Sequence, residues 1–141
     1  MNKELRLGNY VMANNDIFII NSICYEPMFK KIHVTVVKKF GDIPIAVVGF
    51  EPKPVILTEE LLLKCGFKEK RMCSQHWFIK TNKKFAFLTN DIGPDGYSEK
   101  LEFVYVVLRD FSYEIIFVKY LHQLQNLYFA LTGEELTINL T

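Results

Sequence analysis

Leu121, Leu124, Leu127, Tyr128 and Leu131 recur at steps of three and four, which places them on one face of a helix with a 3.6-residue turn. Gln123, Gln125 and Asn126 fall mainly on the opposite side, so the pattern predicts an amphipathic helix over Tyr120–Thr132. Gly133 stands where a left-handed C′ residue would close it, and the strand-like run Leu136–Leu140 follows. Upstream, Tyr113–Val118 reads as a strand running straight into the helix. A strand, a helix and a closing strand in succession predict a sheet with a helix laid across it.

Earlier in the chain the period shortens to two. A glycine turn at Gly8 enters a first strand through Tyr10 and Val11, Asn14-Asn15-Asp16 supplies a turn, and Ile17–Cys24 is strongly β-favouring. Ile32–Val37 is a third strand bounded by lysine pairs, and Gly41-Asp42 turns into a fourth, Ile43–Phe50. Short strands joined by tight turns predict a small, strongly bent sheet or an SH3-like barrel. Glu51-Pro52-Lys53-Pro54 is a stiff connector, because proline cannot donate to a ladder. A short helix follows, with Thr58 as N-cap, Glu59 and Glu60 in its first turn and Gly66 as its stop. His76–Lys80 and Lys84–Leu88 read as a hairpin, and Leu101–Leu108 and Tyr113–Val118 as two further strands.

The fold expected is therefore α+β. A small β-barrel-like part at residues 1–53 precedes an α+β part at residues 54–141, with about four antiparallel strands under the C-terminal helix and one core shared by both parts. Composition agrees: in 141 residues half are apolar, with twelve Phe and seven Tyr, ample for a core. No apolar run reaches the roughly 18 residues that cross a bilayer, and Met1–Arg6 lacks the apolar stretch of a signal peptide. Three cysteines suit a reducing compartment, so a cytoplasmic protein with no membrane partner is expected. Net charge is +1 but uneven, with fourteen Lys or Arg against eight acids up to residue 90 and three against eight beyond it. The basic residues never run longer than two, which favours mutual attraction of the two parts over a polyanion track.

Candidate chemistry is sparse. Asp91, Asp95, Gly96, Glu99 and Glu102 follow the spacing of a calcium loop, but Gly93 stands where a ligand is needed and the flanks read as strands, so a turn-rich hairpin loop is the better reading. Cys65, Cys73 and His76 match no zinc knuckle, and a fourth ligand would have to come from His33 or His122. No nucleophile elbow, phosphate loop or dinucleotide fingerprint is present, so no catalytic, metal or cofactor residue is assigned. An enzyme would need a pocket around His33, His76 or His122.

The blocks Leu5–Val11, Leu57–Phe67 and Tyr120–Leu136 resemble a group of small uncharacterised proteins from Bacteroidota genomes and their phages and mobile elements. The resemblance implies a phage or mobile-element setting in a bacterial host and carries no activity or site. Two functions are expected. The first is a non-enzymatic module acting through a protein partner. The alternative is nucleic-acid binding by the basic N-terminal part, through Lys30, Lys31, Lys38 and Lys39 with Tyr10 and Tyr25.

Overall fold

The computed structural model describes residues 5–13, 16–28, 30–38, 45–47, 53–72, 75–90 and 101–139, with the backbone alone at some strand positions. The chain forms two compact units, Met1–Val55 and Ile56–Thr141, each built on its own antiparallel sheet. The α+β class follows directly.

In the first unit the strands are β1 (Tyr10–Ala13), β2 (Asp16–Glu26), β3 (Lys31–Val37), β4 (Ile45–Val47) and β5 (Lys53–Pro54), ordered β4-β3-β2-β1-β5. Gly8 takes φ +87°, so the turn before β1 is one that glycine enters at no steric cost. Asn9 locks that turn: its Oδ1 accepts from the Arg6 N–H at 2.8 Å, and its carbonyl takes the Ile20 N–H at 2.8 Å. Val11, Ile20, Val34 and Val36 form the buried cluster, with Leu5 and Phe18 packed against it. A bulge between Ile20 and Ser22 shifts the β2–β3 register, and beyond it Ile23 is exposed. Ser22 and Thr35 meet across that pair, with their hydroxyls 2.5 Å apart.

The second unit opens with helix α1 (Glu59–Lys64). Thr58 caps it as expected, its Oγ1 accepting from the Leu61 N–H at 3.2 Å. The helix ends in a Schellman motif: the Gly66 N–H donates to Leu63 O and the Phe67 N–H to Leu62 O, each at 3.0 Å, with Gly66 at φ +87°. Leu62 and Phe67, the residues such a motif brings together, are both buried.

Five strands follow, each antiparallel to the next: β6 (Lys68–Met72), β7 (Gln75–Thr81), β8 (Phe85–Asn90), β9 (Leu101–Val107) and β10 (Tyr113–Val118). About four were expected. The extra one is β6, whose Lys-Glu-Lys-Arg run carries no apolar alternation because it is an edge strand. The β7–β8 turn at Asn82–Phe85 is set by the Asn82 side chain, which accepts from the Lys84 and Phe85 N–H groups at 2.9 and 2.8 Å.

Helix α2 (Leu121–Thr132) lies where its leucine spacing puts it and closes at Gly133, φ +73°. Gln123 caps its start from the third helical position, its Oε1 accepting from the Lys119 and Tyr120 N–H groups at 2.9 and 3.1 Å. Its buried side differs from the expected stripe. Leu121, Leu124 and Tyr128 are buried, but so are His122 and Gln125, while Leu127 and Leu131 are only half-buried. The buried face is rotated toward positions 122 and 125, so Gln125 does not belong to the solvent side. The Tyr128 ring lies 5.3 Å from that of Phe87 on β8, which ties helix to sheet.

The strand expected at Leu136–Leu140 does not form over its described residues, 136–139. Residues 135–139 have no regular structure, Leu136 is buried as an anchor, and the Asn139 N–H donates to the Lys64 carbonyl at the end of α1. An orphan helix carbonyl is a competing acceptor for that N–H.

Candidate interaction surface

The basic residues expected to bind nucleic acid do not gather in the described part of the first unit. Lys30 lies in the β2–β3 turn and Lys38 follows the other end of β3, a separation of about 23 Å for a strand of that length. Lys38 is already engaged. It pairs with Asp16 and stands 4.8 Å over the Phe18 ring. The Lys38 ammonium, and then the Ile17 N–H, hold the Asp16 carboxyl below its ordinary range. Tyr10 is buried on β1 and presents no stacking surface. The Tyr25 and Lys31 side chains and all of Lys39 lie outside the described residues.

The nucleophile and metal candidates are also dispersed. Cys65 is buried at the end of α1, where burial pushes its thiol up to about 12 against the pull of the Lys80 ammonium. His76, on β7, shares a 3.0 Å hydrogen bond with Glu69 on β6. His122 is buried on α2 with its ring stacked on Tyr120, centroids 5.7 Å apart. Cys73 and the calcium-loop positions 91–100 lie outside the described residues, and Leu101 and Glu102 belong to β9, paired with Val118 and Phe117. The His33 side chain is not described. Among the described residues no three His, Cys, Asp or Glu side chains are grouped to hold a metal.

A thiol at that pKa has a testable signature. The unfolded thiol, near its ordinary value of about 8.5, ionises first, so the folded state loses stability as pH rises from about 9 toward 12. Urea midpoints followed into that range should fall more steeply for the wild type than for Cys65→Val. Peptide mapping after brief alkylation of the native protein should find Cys24, which is exposed, modified well before Cys65.

What the fold does collect is an apolar face. Register places Tyr113, Ile115 and Phe117 of β10 on the same side of the second sheet as Val106 of β9, Ala86 and Leu88 of β8, and Trp77 and Ile79 of β7. Phe87, Phe78 and Thr89 point the other way and are buried on the α2 side. On the outer side the β8 and β7 residues are half-buried, but Tyr113 is 67 % exposed, Ile115 53 % and Phe117 55 %. Phe111, held in the left-handed region at φ +57° in the β9–β10 turn, is 76 % exposed. At the far edge β6 contributes Lys68 and Lys70 to this face, beside a shallow cleft of about 400 Å³ that Gly66, Lys80 and Thr81 also line.

β10 carries one charge between Ser112 and Val118, and it faces away from this side. Glu114 lies on the opposite face and accepts a 2.7 Å hydrogen bond from the Tyr105 hydroxyl, which raises the Tyr105 pKa. Sequence reasoning took β10 for an ordinary strand because Ile116 and Val118 make its second side apolar too. The available signal was that near-continuous apolar character, which suits a strand covered on both faces, in a segment that ends a meander.

No protein-family model matches the chain, and no curated protein or solved structure matches it either. The class its own geometry defines is an α+β protein of two antiparallel sheets, with a C-terminal helix on one face of the second and exposed aromatic and aliphatic side chains on the other. Among the described residues no helix is long and apolar enough to cross a membrane.

Proposed function

We propose that the protein is a non-enzymatic protein-interaction module, carried by a phage or mobile element of Bacteroidota and working in the host cytoplasm. Its binding surface is the outer face of the second sheet at β10, and its partner is a polypeptide presenting an extended apolar segment. The observation that carries this reading is the period-two row Tyr113, Ile115, Phe117, each more than half exposed, beside an exposed Phe111. Aromatic and aliphatic side chains mixed in one row suit a polypeptide better than bases, which need ring faces and nearby cations. The first unit reads as SH3-like, supported by the order β4-β3-β2-β1-β5, in which the last strand returns to pair with the first.

An affinity pull-down from a Bacteroidota lysate, with and without nuclease, tests the function. Wild-type protein should retain a protein in both arms, and Ile115→Lys, folded by circular dichroism, should lose it. Retention that vanishes with nuclease, and that falls when Lys30, Lys31, Lys38 and Lys39 are neutralised, would replace this reading with nucleic-acid binding.

A further inference from the structure

We propose that the end of the second sheet where the β7–β8 and β9–β10 turns meet is a docking tip for an anionic lipid surface, with Phe111 as the side chain that enters the headgroup layer. The two turns are neighbours. The Leu108 N–H donates to the Lys84 carbonyl at 2.9 Å, and Phe85 pairs with Val107 just inside them.

Phe111 sits where the backbone would rather have glycine. A bulky residue rarely takes φ +57°, and glycine takes such an angle at no steric cost. Nothing that closes the turn uses the ring. The Phe111 N–H donates to the Val107 carbonyl and the Val107 N–H to the Ser112 carbonyl, each at 2.8 Å. The Asp110 carboxylate accepts from the Ser112 N–H and hydroxyl at 3.0 and 2.7 Å. The Phe111 side chain stands mostly in water. Backbone strain spent on a side chain that the turn does not use points to a role outside the fold.

The surroundings of the ring define the partner. Lys83 and Lys84 in one turn and Arg109 in the other are exposed, and among the described residues no carboxylate pairs with any of them. Asp110 is the one acid in the two turns, and Ser112 engages it. Glu134 lies on the α2 side, where it helps raise the Tyr128 pKa. Leu108 and Tyr113, both exposed, add an aliphatic and a second aromatic side chain beside Phe111. An anionic bilayer offers both complements at one boundary: phosphates for the cations, and an acyl margin for the apolar side chains. A single-stranded nucleic acid would use the cations, but it is held along a groove, whereas this ring stands on a projecting turn. Docking of this kind needs no spanning helix, and it stands apart from the β10 reading.

Sedimentation with sucrose-loaded vesicles tests this. About half of the wild type should pellet with vesicles of about one-third phosphatidylglycerol in phosphatidylcholine at about 1 mM lipid, and little with phosphatidylcholine alone. Phe111→Gly should leave the urea midpoint unchanged or higher, because glycine fits the turn, yet weaken vesicle binding at least about tenfold. Lys83→Gln combined with Lys84→Gln should weaken it about tenfold as well. Phe117→Ser, about 14 Å along β10 from Tyr113, should leave it unchanged. The proposal is overturned if the wild type stays in the supernatant at about 10 mM lipid, or if Phe111→Gly pellets like the wild type. It is equally overturned if Phe117→Ser loses binding as fully as Phe111→Gly, since the outer sheet face would then be what adheres. A wild type that ignores vesicles but binds oligo(dT) in the same buffer would assign the tip to single-stranded nucleic acid instead. Ile115→Lys tests the β10 surface separately, so either proposal can fail alone.

Discussion

Replacing Phe87 with alanine is expected to destabilise the second unit by about 3–5 kcal/mol, the largest single effect in the chain. Phe87 is wholly buried in β8, the central strand of its sheet, and its ring is 5.3 Å from Tyr128 on α2 and 6.3 Å from Phe85. Truncation loses the transfer energy of the ring and leaves a cavity between helix and sheet that neither can close without moving the other. A typical domain has about 5–15 kcal/mol in total, so the loss is a large share. Trp77, the one tryptophan, sits on the neighbouring β7 and reports this unit directly, so its fluorescence in a urea titration gives the measurement. Burial, and after it Glu134, raises the Tyr128 pKa, and in the variant that phenol should titrate closer to its ordinary value. A cost below about 1 kcal/mol would mean that α2 does not depend on β8 for its seat.

Ile20→Ala should cost the first unit about 2–5 kcal/mol, followed by far-ultraviolet circular dichroism. Ile20 sits at the centre of a small cluster with Val11, Val34 and Val36, and its N–H bonds the Asn9 carbonyl across the turn before β1. Ile23→Ala, three residues along the same strand, should cost less than about 1 kcal/mol, since Ile23, set opposite Val34 beyond the bulge, is exposed. Equal losses at the two positions would mean that Ile23 is as deeply seated in the core as Ile20.

Both helices were legible in the sequence, and so were most strand centres. Thr58 and Gly66 delimit α1, and the leucine spacing with Gly133 delimits α2, because caps and periodicity act within a few residues of the chain. β6 was not legible, since an edge strand needs no apolar alternation and a run of Lys, Glu, Lys and Arg carries no strand signal. Leu136–Leu140 has strand-like letters, but an extended segment becomes a strand only with a neighbour to pair with, and Asn139 spends its N–H on the end of α1. The candidate lysines were identifiable as residues, yet not that β3 would set Lys30 and Lys38 at opposite ends or that Asp16 would claim Lys38.

The amino-acid sequence by itself determined the α+β class, both helix boundaries, the glycine turns and the lack of a recognisable catalytic motif, since each depends on side chains close together along the chain. Only the tertiary structure decided that Gln125 and His122 are buried, that the described residues of each unit build one antiparallel sheet of five strands, and that Tyr113, Ile115 and Phe117 face solvent while Phe87 on the other side does not. Those outcomes rest on which segment pairs with which, and on which face of a strand α2 covers. A strand apolar on both sides specifies neither, because its pattern fits burial on either face, and the choice is made by residues distant in the chain.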